Sequence, residues 1–266
     1  MAGFLHSDYT LPGREHFMIQ VEHLTKQFRN GKKILVTLND NSWEAQDGAI
    51  TGFIGHNGAG KTTTLKIMTG AMRPTKGRIL LNGKDIQTDS LEAKKQFGYV
   101  SDSPDHFLRL KGIEYLNFIA DVYEVDSAKR APFIKEYAER FDIANALNQS
   151  ILSYSHGMRQ KIMIMGALIH EPSIWLLDEP MTGLDPQSAY ELKLMMKEHV
   201  AKGHSVLFST HVLEVAEKLC DHIVLIKHGN IKFTGTLHEL EANYPEHTSL
   251  EEIFLDINKN TEEGNE

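Results

Sequence analysis

Residues 55–62 read Gly-His-Asn-Gly-Ala-Gly-Lys-Thr, a full G-x-x-x-x-G-K-[ST] run. The run constrains its surroundings, because it works only between a strand and a helix. Ala49 to Ile54 is short, apolar and β-capable, and Lys61 to Thr69 reads as a helix that Gly70 can close. Glycine accepts backbone angles that a Cβ forbids, so successive N–H groups can converge on one phosphate. The positive end of the following helix faces the same anion. Gly55, His56, Asn57, Gly58, Ala59, Gly60, Lys61, Thr62 and Thr63 are therefore the expected binding set for a nucleoside triphosphate. Lys61 should reach the β- and γ-phosphates, and the Thr62 hydroxyl should ligate Mg²⁺. The competing reading, a glycine turn that merely caps a helix, does not account for the strand in front.

Composition narrows the rest. A chain of 266 residues with 41% hydrophobic content can bury one large domain or two lobes. A net charge of −8 opposes a nucleic-acid-binding surface, and no nucleic-acid partner is expected. The most apolar stretch, Ile162 to Ile169, is eight residues long and follows Arg159 and Lys161, too short to cross a bilayer. Met1 to Phe17 has no apolar h-region, which argues against a secretory signal. The single cysteine, Cys220, excludes an intramolecular disulfide and fits a reducing cytosol. Its spacing from Val212, Val215 and Leu219 reads as a small buried hydrophobe. None of the 14 histidines has H-x-H or H-E-x-x-H spacing, and His199 and His204 straddle a helix end at Gly203, so no protein-held metal centre is expected.

Residues 18–27 alternate as a half-buried strand does, and strand-like pieces follow at 34–38 and 42–45. Arg78 to Leu81 meets Asn82-Gly83, a hairpin signal. Helical periodicity then takes over at 113–123, at 129–141 with Ser127 as candidate cap, and at 157–169. After it an α/β rhythm returns: strand 174–178, helix 186–201, strand 205–209, helix 212–220, strand 223–227. Asp185-Pro186 supplies a cap and first-turn proline, and Thr236 caps a further short helix. The expected fold is α/β: a P-loop NTPase core with an antiparallel β-layer and an inserted helical subdomain at about 103–170. Residues 1–17 form an N-terminal extension, 18–240 the main domain, and 241–266 a C-terminal helix and acidic tail.

The strand ending Leu176-Leu177-Asp178-Glu179 supplies a second set of charges. A buried parallel strand delivers its last side chains to the sheet edge where ligands bind. Asp178 is the candidate Mg²⁺ ligand, directly or through water, and Glu179 the candidate base for an attacking water.

With these residues in hand the chain resembles the nucleotide-binding ATPase subunit of ABC transporters. Tyr154-Ser155-His156-Gly157-Met158-Arg159-Gln160 is similar to the family signature, and Thr182-Gly183-Leu184-Asp185 to its D-loop. Ser209-Thr210-His211 is similar to the switch-histidine strand end, Gly98 to Asp102 occupies the Q-loop position, and Phe28 stands where an aromatic stacks on adenine. The resemblance implies ATP and Mg²⁺ as cofactors and a head-to-tail dimer with a second ATPase subunit, either a copy or a paralogue. It also implies an integral membrane permease subunit as partner, and a cytoplasmic location at the inner face of the membrane. Lys61, Glu179 and His211 would be catalytic, Ser155 and Gly157 would reach across to the partner's γ-phosphate, and Asp185 of the D-loop would be nucleotide-binding.

Two departures stand out. His156 replaces the first glycine of the signature, and the S-x-G-M-R-Q form resembles the drug- and bacteriocin-exporter branch. Asp102 replaces the usual glutamine, a better Mg²⁺ ligand by charge but one methylene shorter. Phe107 and Leu108 are candidate contacts for the membrane subunit, whereas Ile113, Leu116 and Ile119 read as lobe core. The alternatives left open are a non-transport ABC ATPase and a weakly hydrolysing nucleotide-sensing module.

Overall fold

The phosphate loop sits where two sheets meet in the computed structural model, which describes residues 17–31, 33–247 and 249–259. An antiparallel sheet is built from β1 (Phe17–Asn30), β2 (Lys33–Gln46), β4 (Lys76–Leu81) and β5 (Lys84–Asp85), in the order β2-β1-β4-β5. The strand pieces expected at 34–38 and 42–45 are one continuous strand. Asp40, at φ 52°, breaks the alternation without ending the pairing, which is why the pattern looked split. Asn82 and Gly83 both have positive φ and join β4 to β5, the turn chemistry their sequence signals.

The second sheet contains β3 (Ile50–Ile54), β6 (Phe97–Val100), β7 (Ile174–Asp178), β8 (Ser205–Thr210), β9 (His222–Lys227) and β10 (Asn230–Thr236). Its order is β10-β9-β3-β8-β7-β6, parallel except for β10. Every residue of β3, β7 and β8 is buried, as both faces of the sheet are covered. One face packs Trp175, Leu177 and Phe208 against the helical lobe. The other packs Phe53, Leu176 and Leu207 against Trp43 and Ile79 of the antiparallel sheet and Leu65 of α1 (Lys61–Met68).

The lobe of α3 (Gly112–Val122), α4 (Ser127–Arg140) and α5 (His156–Leu168) is inserted between β6 and β7. α4 is preceded by the short α2 (Ser90–Lys95), which the periodicity did not signal, as well as by α3. Asp126, rather than Ser127, caps α4: its carboxylate accepts the Ala128 N–H at 2.8 Å, and Ser127 is the first helical residue. Leu116 is buried in the lobe core, with Ile113 and Ile119 half-buried beside it. Strand β6 lies so close to α5 that a Cβ on Gly98 would overlap the Ala167 carbonyl oxygen.

After β7 come α6 (Pro186–Ala201), α7 (Leu213–Leu219), α8 (Leu237–Asn243) and α9 (Leu250–Lys259). Thr236 caps α8 in a reciprocal box with Glu239. Leu250, Ile253 and Ile257 of α9 bury in one cluster with Ile54 and Leu225. The N-terminal extension through residue 16 and the tail from residue 260 lie outside the described residues. Cys220 follows α7 and presses on the backbone of β3: a Cβ on Gly52 would be 2.6 Å from its sulfur. Burial pushes its thiol pKa up, which makes it a packing group rather than a nucleophile.

Candidate functional site

β3 ends at Ile54, the loop 55–60 turns, and α1 begins at Lys61. The Lys61 ammonium is buried and donates to the Gly55 and His56 carbonyls at 2.7 and 3.3 Å. Its remaining neighbour is Glu179 Oε1 at 3.4 Å, a residue more than a hundred positions away in sequence. A cleft of about 250 Å³ is lined by Asn57, Gly58, Gly60, Lys61, Thr62, Thr63, Asp102 and Glu179, with Thr37 from β2. Glu179 of the acidic strand end therefore shares one space with the phosphate loop.

Asp178 ends β7, fully buried. Its Oδ1 accepts from Ser209 Oγ at 2.5 Å, while its Oδ2 is buried with no hydrogen-bond partner. Burial pushes its carboxyl above the ordinary value, against the Ser209 hydrogen bond and the nearby Thr62 hydroxyl, and the nearby Asp102 and Glu179 push the same way as burial. Ser209 is a site residue whose role the sequence reading missed. Its part depends on the parallel pairing of β7 with β8, which sets Asp178 opposite Ser209 and which no local run of sequence signals. The same Ser209 oxygen accepts the Glu179 N–H at 3.0 Å.

Glu179 has φ 47°, a left-handed backbone that a side chain tolerates poorly. Its Oε2 meets His211 Nδ1 at 2.9 Å, just past the end of β8. The carboxylate is thus held between an ammonium and an imidazole.

An orphaned carboxylate oxygen beside a threonine hydroxyl and a second carboxylate suits Mg²⁺. That ion takes one or two carboxylates and completes its octahedron with phosphate and water. Among the described residues no group of three or more His, Cys, Asp or Glu is arranged to hold a metal alone, so the donor set fits an ion that arrives with phosphate.

Asp178 has a folded-state pKa above its unfolded value, so its penalty is absent at low pH and fully present at pH 7. Asp178→Asn keeps an acceptor for Ser209 and removes that penalty. It should stabilise the nucleotide-free protein by about 0.5–2 kcal/mol at pH 7, the usual size of a favourable single change. Thermal melts at pH 7 and pH 4 check this, and the gain should shrink at the lower pH.

Ser155 and Gly157 open α5 away from this cleft. The Ser155 hydroxyl accepts the Met158 N–H at 3.3 Å as the helix cap. Asp185 caps α6, accepting the Ser188 N–H at 2.9 Å and the Ser188 hydroxyl at 2.7 Å. These Ser188 bonds, with Lys161, hold its carboxyl well below the usual range.

A family model described as ABC transporter matches residues 38–182, over half of the chain. The chain belongs to the ABC transporter family. It is similar to the ABC-type transporter ATP-binding protein EcsA of Bacillus subtilis (strain 168), at 34% identity over 84% of this chain and 90% of that one. A solved ATP-binding subunit of an ABC transporter superposes with a TM-score of 0.85 at 31% identity, covering 91% of this chain and 99% of that one. The cassette MJ0796, solved as a post-hydrolysis dimer with ADP and Pi, shares the fold at TM-score 0.75 and 23% identity, over 83% and 99% of the two chains. This ABC subunit is accordingly an ATPase.

Two further features of the ABC ATPase lie outside the cleft. Phe28, on β1 opposite Leu35, is over a third exposed, with Lys26 Nζ 5.0 Å from its ring centroid. Phe107 is exposed at the lobe junction and touches the Phe118 and Tyr115 rings, whereas Leu108 is half-buried. Among the described residues no helix is long and apolar enough to cross a membrane.

Proposed function

We propose that this ABC ATPase binds MgATP in the 55–63 loop and hydrolyses it with Glu179 as base, paired with a second ATPase subunit. The carrying observation is the meeting of Lys61, at the start of α1, with Glu179 and His211, which follow the ends of β7 and β8. Lys61 would neutralise the β- and γ-phosphates. Glu179 would accept a proton from the water as it attacks the γ-phosphorus and the bond to ADP breaks. Thr62, Asp178 and Asp102 would hold Mg²⁺, which supplies charge neutralisation on the phosphate oxygens. His211, already bonded to Glu179, would orient that carboxylate and sense the γ-phosphate.

Phe28 would stack on adenine with one face, with Lys26 near the ring. Ser155, Gly157 and Asp185 would act on the nucleotide of the partner, in a dimer of the kind reported for MJ0796. The partner in the membrane would be an integral permease reached through Phe107 and Leu108, and the S-x-G-M-R-Q signature favours export. The subunit would then lie at the cytoplasmic face.

The test is steady-state ATP hydrolysis with and without Mg²⁺, together with co-purification of an integral membrane protein. Hydrolysis no faster than that of Glu179→Gln would leave a nucleotide sensor instead. His211→Ala should lower turnover by about 10²-fold, the cost of a misplaced catalytic group, with little change in ATP affinity. A phosphate-release assay over a range of ATP concentrations separates the two effects.

A further inference from the structure

The N-terminus of α5 and the turn at 182–185 touch at three separate places, and two of these are made by side chains. The His156 imidazole lies against Gly183, so a Cβ there would overlap its Cδ2. Gly183 has φ 78°, which suits glycine, and the ring fills the space that its missing side chain leaves. One residue on, a Cβ at Gly157 would stand 2.6 Å from the Gly183 carbonyl oxygen. One helical turn further, Lys161 is buried, and its Nζ lies 3.1 Å from Asp185 Oδ2. Asp185 is itself fixed as the cap of α6.

Two close contacts on Gly183 and an ion pair on Asp185 tie the two turns together. We infer that His156 and Lys161 are positioning residues that fasten the signature turn to the 182–185 turn of the same chain. Ser155, Gly157 and Asp185 then face a partner as one pre-set edge. The inference rests on the dimeric reading above and adds to it a device particular to this chain. At position 156 the family usually carries glycine, which could not fill the space over Gly183. Lys161 has the complementary role. A buried ammonium is costly without a partner, so its charge holds Asp185 in place rather than tolerating several arrangements.

The experiment uses His156→Ala and Lys161→Met, with Lys161→Arg as the conservative control. Amide hydrogen exchange on the nucleotide-free protein reads the lock directly. Both variants should speed exchange at 182–185 by about tenfold or more, with Lys161→Arg close to the parent. In a Glu179→Gln background, each should also raise the ATP concentration for half-maximal dimerisation at least fivefold. Binding of a fluorescent ATP analogue to dilute monomer, which reads the phosphate loop alone, should stay within twofold.

Unchanged exchange at 182–185 in both variants overturns the lock, whether or not the protein dimerises. So does Lys161→Arg behaving like Lys161→Met. If exchange rises as expected but Glu179→Gln itself never dimerises with ATP, the lock stands and the dimeric reading fails.

Discussion

Glu179→Gln should cut steady-state ATP hydrolysis by about 10²–10⁴-fold, the range for losing a positioned general base. The amide is the same size: its oxygen can keep the Lys61 contact at the 3.4 Å position, while its NH₂ takes the place of the oxygen that meets His211 at 2.9 Å. Binding should therefore survive while proton transfer does not. That separation has a second consequence under the proposed sandwich. Two faces joined through bound triphosphate stay joined when the water is not activated, so the variant should elute as a dimer with MgATP and as a monomer without it. Phosphate release and size-exclusion chromatography on the same preparation check both parts. A variant that still turns over at a tenth of the parent rate would remove Glu179 from the base position. One that stays monomeric with ATP would remove the sandwich.

Gly98→Ala should be the most damaging change in the fold outside the site. The added methyl would overlap the Ala167 carbonyl oxygen and also crowd Pro172, both fixed groups that cannot swing away. Overpacking of that kind costs about 3 kcal/mol or more, and would lower the melting midpoint by ~6–12 °C in a chain of this size. Gly203→Ala is the contrast. Gly203 has φ 82° but no atom near its would-be Cβ, so only the left-handed backbone penalty of about 1–2 kcal/mol applies. Circular dichroism melts of the two should differ by several degrees. Equal midpoints would mean that β6 and α5 are not in the tight contact described.

The sequence made the strand and helix order after residue 170 readable almost to the residue: β7 and α6 have the expected limits. Those segments are regular, buried and bounded by Pro186 and Gly203. The N-terminal hairpin was harder, since Asp40 interrupts an alternation that pairing across to β1 preserves. The six-residue α2 was not legible, being too short to show a period. For the site, the loop and the acidic strand end each carry local chemistry, so Lys61, Thr62, Asp178 and Glu179 could be named. Their meeting could not be read locally, nor could the part played by Ser209, which depends on which strand lies beside which. The lock between α5 and the 182–185 turn was invisible for the same reason: His156 and Lys161 gain meaning only from what faces them.

The sheet order carries a consequence for biosynthesis. The strand that feeds the phosphate loop has both its hydrogen-bonded neighbours far later in the chain: Ile50 pairs with Val206 of β8, and Thr51 with His222 of β9. A nascent polypeptide emerging from the ribosome thus carries β3 unpaired until nearly all of it has been translated. Pairings of such long range close slowly. Capacity to retain nucleotide should arrive late and abruptly during translation, so chains arrested before residue 205 should neither hold ATP nor resist protease around Ile50.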